Sequence, residues 1–294
     1  MQNTISVDVE EYFHATNLEP WVGPRHWHQM PSRLEITVAR TLELFAEAKV
    51  TSTFFVLGSV ARRWPNVIRS ITAAGHEIAS HGYGHRLAYT QNEAAFFRDI
   101  YRTKRLLEDI SGSRVDGYRA PNFSIRESNR WAYEKLIEAG YRYDSSLFPI
   151  RHHRYGNRHQ PRTPFLVRTD DDDILIIPLA TRAVSCFGHE LRFPIAGGAY
   201  WRFLPLALVK RALSAVNSSE QLAFHAYFHP WELDTFRANI LGVPWQIRLR
   251  HYGGTRRMPE IVSQVLHQFH FGPMRDVAES CRKELRRSNQ CQSK

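Results

Sequence analysis

The sequence predicts an α/β fold in which a parallel sheet closes into a (β/α) barrel. Through the first 145 residues, short β-rich runs alternate with segments whose apolar side chains recur at helical spacing. Capping and stop signals bound several of those helical segments. Repeated βα units favour a parallel sheet covered by helices, and barrel enzymes place their sites where the strands end.

The first half of the chain contains five predicted strands with helices between them. The strands are residues 5–9, 53–57, 76–80, 115–118 and 141–143. The first helix is predicted from an apolar stripe at helical spacing, namely Leu34, Val38, Leu42 and Phe45. The second spans residues 65–74, and its stop signal is Gly75. The last two helices start at capping pairs and end at glycines: Thr90 with Glu93 and Gly112, then Ser124 with Glu127 and Gly140.

The second half is less regular, and from about 145 to 202 only residues 174–179 have a clear strand pattern. Long irregular segments of this kind are usually functional loops. A helix entered at Pro205 follows. Beyond it we expect a strand at 222–228, a helix at 259–269 and a last strand at 271–277. We therefore predict one domain over residues 1–280, with an irregular insertion at about 145–202, and a polar tail over 281–294.

Composition excludes several classes of protein. The chain has 294 residues, of which 43% are hydrophobic and 23% charged, so a disordered chain is excluded. The longest apolar run, 174–180, is far shorter than the roughly 20 residues that a membrane helix needs. Residues 1–11 lack the features of a signal peptide, which predicts a cytoplasmic protein, with peripheral attachment to the inner membrane as an alternative. The three cysteines, Cys186, Cys281 and Cys291, indicate neither a disulfide framework nor a cysteine metal site.

The net charge is +10, and two stretches without acidic residues, 151–162 and 248–257, carry much of the excess. Such stretches attract anionic glycans, lipids or nucleic acid, and a solvated surface is the alternative. No nucleic-acid motif accompanies them, so a nucleic-acid partner is not expected. The acidic run 170–173 could bind a cation, but a solvated turn is the favoured interpretation.

His81 and His85 form the first candidate metal site. They are four residues apart, so one helical turn would place both imidazoles on one side, as a divalent metal requires. His81 directly follows the strand predicted at 76–80, at the rim where barrel sites are built. Alternation along the first strand sends Asp8 and Glu10 to one face and Glu11 to the other.

Other strands end in polar residues as well. Arg119 and Pro121 follow the fourth predicted strand, Asp144 ends the fifth, and His229 follows the strand at 222–228. Catalytic residue types at the ends of five strands predict an active site at this rim.

These residues lie in motifs that resemble a known family. The segments SVDVEEYF, TFFVLG, GHEIASHGYGH, GYRAPNFS, YDSS and FHPWE look like successive motifs of the NodB-homology polysaccharide deacetylases, carbohydrate esterase family 4. AGGAYWRFLP and PMRDV further resemble the branch found in bacterial exopolysaccharide loci, often beside exosortase systems. The resemblance implies a distorted (β/α) barrel that removes N-acetyl groups from amino sugars with a divalent metal, zinc first, with cobalt, nickel or manganese as alternatives.

The resemblance also implies a role for each matched residue. Asp8 matches the general base, Arg119 the arginine that orients it, His229 the general acid and Asp144 the acid paired with that histidine. The metal ligands are His81, His85 and a third carboxylate. Most members place a second Asp directly after the base; this chain has Val9 there, which leaves Glu10, the favoured candidate, or Glu11. Substrate contacts are expected from Pro121, Tyr200 and Trp231.

The predicted function is therefore hydrolysis of N-acetyl groups on a polysaccharide, of exopolysaccharide or cell-wall type, or on its lipid-linked precursor. Another metal-dependent amidohydrolase or an acetyl esterase would use the same ligands. An inactive carbohydrate-binding relative would require loss of a site residue, and only the adjacent second Asp is missing. The sequence leaves the sugar, the native metal and the oligomeric state open.

Overall fold

The computed structural model describes residues 1–152, 155–169, 172–186 and 189–292, without the side chains of residues 186, 189 and 286–292. This part of the chain forms ten strands and ten α-helices. The strands are β1 Thr4–Val9, β2 Thr53–Val56, β3 Glu77–Ser80, β4 Gly117–Tyr118, β5 Tyr143–Asp144, β6 Phe165–Arg168, β7 Asp173–Ile176, β8 Thr181–Cys186, β9 His189–Pro194 and β10 His225–Phe228. The helices are α1 Leu34–Ala48, α2 Gly58–Arg63, α3 Pro65–Ala73, α4 Glu93–Ser111, α5 Trp131–Glu138, α6 Ala199–Phe203, α7 Leu206–Ser218, α8 Trp245–Tyr252, α9 Met258–Gln268 and α10 Met274–Gln292.

Eight strands form one curled sheet in the order β10-β1-β2-β3-β4-β5-β7-β6. Every pair from β10 to β7 is parallel, and only β6 runs antiparallel, against β7. Within the described residues no pairing joins β10 to β6, so the barrel is incomplete on that side. The predicted α/β class and distorted (β/α) barrel are confirmed.

The central strands are buried on both faces, and alternation decides which side chains point where. On β1, Ile5, Val7 and Val9 pack in the main core with the surrounding helices. Ser6 and Asp8 alternate with them and lie on the other face, where both contact Arg119. The buried face of β1 thus anchors the strand, while its other face supplies polar groups to the barrel interior.

The strands predicted in the first half are all present, with ends that differ by at most two residues. Two helix starts differ from the prediction. Asn92, not Thr90, caps α4, because its side chain accepts a hydrogen bond from the Ala95 amide at 2.8 Å. The Ser124 hydroxyl accepts instead from the Ala88 amide, so it joins two loops rather than capping α5.

The segment 145–202 is more regular than predicted. It contains the edge strand β6, the strand β7 and a separate two-stranded hairpin of β8 and β9, and α6 begins at its end. Of the acidic run 170–173, residues 170 and 171 lie outside the described residues. The Asp172 carbonyl accepts a bond from the Thr169 amide in a turn, and Asp173 pairs with Arg282.

The strand predicted at 271–277 is wrong. Phe271 makes only an isolated bridge with Asn3, and α10 starts at Met274. Apolar residues at helical spacing, Met274, Ala278 and Cys281, pack this helix under the barrel. The tail predicted over 281–294 continues α10 as far as Gln292. Among the described helices, none is long and apolar enough to cross a membrane.

Candidate metal and active site

The carboxyl ends of the parallel strands bring the predicted site residues to one rim. Asp8 lies near the end of β1 and Glu10 just beyond it; their relative exposures are 2% and 3%. His81 follows β3, Arg119 follows β4 and His229 follows β10. Because β1 pairs with β10 on one side and β2 on the other, residues from the start of the chain lie here beside residues near position 229.

Glu10 and two histidines form the candidate metal site. Glu10 Oε1 lies 3.0 Å from His81 Nε2 and 3.2 Å from His85 Nε2. Burial alone would raise the pKa of Glu10, but the charges and hydrogen bonds of His85 and His81 outweigh it and hold the pKa well below its ordinary value. One carboxylate and two imidazoles are a donor set that zinc binds, and here they converge on one point.

The two histidines meet through a loop, not through a helix as the spacing predicted. Residues 81–87 have no helical hydrogen bonding, and both Gly82 and His85 have positive φ. His81 Nδ1 lies 2.8 Å from the Arg119 carbonyl, which can only accept. Nδ1 therefore donates to this carbonyl, so Nε2, which lies on the Glu10 side, is the nitrogen that could bind a metal.

Glu11 binds the start of α1 and not the histidines. Its Oε1 accepts bonds from the Ser32 hydroxyl and from the backbone amides of Arg33 and Leu34, at the start of α1. It therefore closes the helix start and points away from His81. The structure thus places Glu10, the candidate favoured by strand alternation, beside the histidines.

Arg119 holds Asp8 in place. Its guanidinium donates to Asp8 Oδ1 at 2.6 Å and to the Ser6 hydroxyl at 2.8 Å, and it donates twice more to Ser145. The arginine is fully buried and stacks over Phe55, so its geometry is fixed from several sides. Asp8 also lies with Glu10 and His229 in a group whose ligand atoms are within 4.8 Å of one another.

His229 is paired with Glu232, and the predicted pairing with Asp144 is wrong. His229 Nδ1 lies 2.8 Å from Glu232 Oε1. Asp144 instead accepts bonds from the amide and hydroxyl of Ser146. Asp144 lies at the end of β5, which three strands separate from β1, while Glu232 lies three residues after His229, in a 3₁₀ turn at Pro230–Leu233.

The environments of these groups shift their pKa values. Burial disfavours a charged His229, but the bond to Glu232 and the charges of Glu10 and Glu232 outweigh it and raise its pKa to about 9. Burial raises the pKa of Asp144 to about 7, although the hydrogen bonds from Ser146 act to lower it. His229 is therefore a cation near neutral pH, as a proton donor must be.

A cavity of about 460 Å³ opens over these residues. Tyr200 and Trp231 line it, as predicted. Pro121 does not line it, because the proline is buried at the start of a 3₁₀ turn; its neighbours Asn122 and Phe123 line the cavity instead.

Two lining residues, Arg202 and Glu232, were not singled out from the sequence. Two others, Arg250 and His251, belong to the basic stretch 248–257, for which an anionic glycan was one possible partner. The His-x-x-Glu spacing within FHPWE was the one available signal for Glu232. The others come from α6 and α8, and no local pattern connects those helices to the rim. Trp231 stacks on both His229 and His251, which continues the site along the cavity wall.

The basic stretch 151–162 only partly borders the cavity. His152 and Tyr155 line it, whereas Arg151 and Arg158 are exposed. Arg154 lies outside the described residues. Arg162 is structural, since it pairs with Glu220 and bonds Thr181.

Comparison with known proteins agrees with this geometry. Residues 29–143 match the model of the polysaccharide deacetylase family. This part of the chain is similar to that family. Residues 145–279 match a second family, described as a domain of unknown function, DUF3473.

Three known proteins illustrate this likeness. A peptidoglycan deacetylase of Helicobacter pylori is 28% identical over 137 residues, 47% of this chain and 42% of that protein. A chitooligosaccharide deacetylase of Sinorhizobium fredii is 46% identical over 85 residues, 29% of this chain and 35% of that protein. The chain thus matches less than half the length of either relative. A Mycobacterium smegmatis structure assigned as a polysaccharide deacetylase shares the fold, with a TM-score of 0.61 and 22% identity over 97% of this chain and 92% of that chain.

The site draws on both matched regions. The deacetylase region contains His81, His85 and Arg119, while Asp8 and Glu10 precede it. The region of unknown function contains His229 and Glu232. The second region therefore completes the rim on the side of β10.

Proposed function

We propose that this protein is a metal-dependent hydrolase that removes acetyl groups from N-acetylated amino sugars of a glycan and releases acetate. The observation that carries the proposal is the convergence of Glu10 with two histidines at the floor of a cavity, with Asp8 and His229 beside them. The names of the matched relatives, peptidoglycan and chitooligosaccharide deacetylases, support an N-acetylated glycan as the substrate class.

Glu10, His81 and His85 would hold the metal. A divalent ion at this site supplies Lewis-acid polarisation of the acetyl carbonyl and lowers the pKa of water. We propose zinc, because a His₂-carboxylate set leaves coordination positions open for a catalytic zinc ion. The protein's own groups then carry the protons.

Asp8 is placed to accept the proton of the attacking water. Arg119 holds the carboxylate by its Oδ1, which leaves the other oxygen toward the site. The hydroxyl adds to the acetyl carbon, and the carbon–nitrogen bond of the amide then breaks. General base assistance of this kind contributes roughly 10²- to 10⁴-fold to a rate.

His229 is placed to protonate the leaving amine. Its Nδ1 is bonded to Glu232, so Nε2 is the nitrogen that faces the site, 3.8 Å from Glu10 Oε1. An amine leaves poorly as an anion. A proton donated by the imidazolium to the nitrogen therefore allows the carbon–nitrogen bond to break. Acetate and a free amino sugar are the products.

The cavity wall suits a sugar ring. Tyr200 lines the wall and is partly exposed, whereas Trp231 is 7% exposed and stacks on both His229 and His251. We propose that the Tyr200 ring contacts the sugar and that Trp231 holds the two histidines in place beside it. The exopolysaccharide branch of the family and the cytoplasmic location stay predictions from the sequence motifs.

The experiment compares hydrolysis of three substrates of different bond type by the purified chain, measured as acetate release for the two acetylated substrates and as ring opening for the cyclic amide. These are an N-acetylglucosamine oligosaccharide, an O-acetylated sugar and a cyclic amide, each tested after chelation and after zinc is restored. We expect acetate from the N-acetylated oligosaccharide only when metal is present. Preferred cleavage of the ester or the cyclic amide, or metal-independent turnover, would overturn the proposal.

A further inference from the structure

Five exposed apolar side chains form a patch beside the cavity mouth. On α8, Trp245 and Leu249 are 68% and 55% exposed. On α6 and the start of α7, Phe203, Leu204 and Leu208 are 50%, 38% and 53% exposed. We call these five residues the α6–α8 patch. Phe203 and Leu204 also line the cavity, so the patch adjoins its mouth.

The two parts of the patch lie on elements that pack against each other. Trp245 and Leu249 are four residues apart, on one face of α8. A Cβ at Gly253 would lie 2.3 Å from the Leu249 carbonyl and 2.9 Å from the Phe203 ring, so the end of α8 abuts α6. Arg202 joins the same two elements by donating to the carbonyls of His251 and Gly253. An exposed aromatic and aliphatic surface held this rigidly is typical of an interaction site.

The two chain segments that contain the patch carry charges of a single sign. Residues 191–219 and 235–259 contain nine Arg and Lys residues and no Asp or Glu. Arg211, Arg250, Arg256 and Arg257 are exposed, and none of the four pairs with a carboxylate in the described part of the chain. The surroundings of the patch therefore favour an anionic partner.

We propose that the α6–α8 patch docks on an anionic phospholipid bilayer. Trp and Leu side chains enter the interfacial layer, and arginines beside them bind the lipid headgroups. A second copy of the chain fits less well, because a symmetric contact through this patch would bring the same unpaired arginines together. When the protein docks in this way, the cavity mouth at Phe203, Leu204 and Arg250 lies next to the lipid surface.

The test is flotation of the purified full chain with vesicles. Vesicles of phosphatidylglycerol and phosphatidylcholine are compared with vesicles of phosphatidylcholine alone. We expect the chain to float with the anionic vesicles and to dissociate in high salt. The double variant Trp245→Ser/Leu249→Ser and the triple variant Arg211→Gln/Arg256→Gln/Arg257→Gln should each weaken binding at least about tenfold, while Trp245→Phe keeps most of it.

Matched controls come from exposed residues away from the patch. They are Ile36→Ser/Tyr101→Ser for the apolar variant and Arg62→Gln/Arg69→Gln/Arg98→Gln for the basic variant. Both should bind vesicles like the unaltered chain, and a melting temperature checks the fold of every variant. Equal binding by the patch variants and the unaltered chain would overturn the proposal. So would no flotation with anionic vesicles, or a dimer in solution that the Trp245→Ser/Leu249→Ser variant abolishes.

Discussion

Glu10 and Glu11 are adjacent acids with different tasks. Glu10 faces two histidines, while Glu11 accepts bonds from the first amides of α1. Strand alternation separates the two from sequence alone, because successive side chains leave β1 on opposite faces. The contacts of Glu11 depend on where α1 packs, and no local pattern predicts them.

Replacing each acid by its amide tests this division. Loss of a residue that only hydrogen-bonds to a metal ligand weakens metal binding by roughly 10- to 100-fold. Glu10→Gln should weaken zinc binding by more than this, because it removes a ligand itself. Glu11→Gln, the matched control, should bind zinc normally. Equilibrium dialysis with metal analysis gives both affinities. Normal zinc binding by Glu10→Gln would reassign the third ligand.

Glu232 explains how His229 stays protonated, and the sequence motifs pointed to Asp144 instead. A partner for a histidine is a matter of side-chain distance, so motif order alone could not choose between two acids. Glu232 lies 2.8 Å from His229 and also 3.7 Å from Arg202. That second contact fixes the carboxylate behind the imidazole.

Glu232→Gln should shift the alkaline limb of the pH–rate profile to lower pH. The carboxylate raises the pKa of His229, so its loss makes the imidazolium give up its proton at lower pH and activity fall earlier. Turnover should fall by roughly 10²-fold, at the low end for a general acid. Asp144→Asn is the control and should leave the alkaline limb in place. An unmoved limb in Glu232→Gln, with a moved one in Asp144→Asn, would restore the original pairing.

At the scale of elements, the first half of the fold follows from local signals and the second does not. Strands 53–56 and 77–80 and helix α4 have strong apolar periodicity and clear ends. The hairpin of β8 and β9 has alternating residues, but several of its apolar side chains, such as Leu191 and Phe193, are exposed. The alternation in this hairpin therefore does not mark a buried face, and it gives no clear strand signal in the sequence.

The strand expected at 271–277 became the start of α10 because tertiary contacts hold it there. Glu77 on β3 accepts bonds from the Thr53 hydroxyl, the Tyr143 hydroxyl and the Arg275 amide. One buried carboxylate thus joins β2, β5 and the first turn of α10. Burial raises the pKa of Glu77, although these hydrogen bonds act in the opposite direction.

Glu77→Gln should lower the free energy of unfolding by about 1–3 kcal/mol, because the amide group cannot accept from all three donors and leaves a buried one unsatisfied. The exposed Glu134→Gln on α5 is the matched control and should change it by less than about 0.5 kcal/mol. Urea unfolding followed by circular dichroism measures both. Equal stability of the two variants would show that Glu77 does not anchor α10.

At the scale of the whole molecule, the two matched regions and β1, which precedes both, form one sheet. β10, near residue 225, pairs with β1 from Thr4 to Val7, and α10 packs beneath β2 and β5. The pairing of β10 with β1 also assembles the site, because His229 lies near Glu10 only when β10 is beside β1. Neither region contains a complete barrel.

A fragment of residues 1–144 should therefore fail to fold cooperatively. It would expose the edge of β1 and lose the partners of Ile5 and Val7 on β10. Near-UV circular dichroism and urea unfolding, with the full chain as control, measure this directly. A sharp unfolding transition in the fragment would mean that the deacetylase-family region is an independent domain.

The central claim is that one metal ion at Glu10, His81 and His85 supports removal of acetyl groups. The most direct test titrates zinc into metal-depleted protein and follows acetate release from an N-acetylglucosamine oligosaccharide. We predict that the rate rises to a plateau at one zinc ion per chain, and that His81→Ala, with an intact fold, shows no such rise. Full activity without metal, or the same titration curve for His81→Ala, would contradict the account.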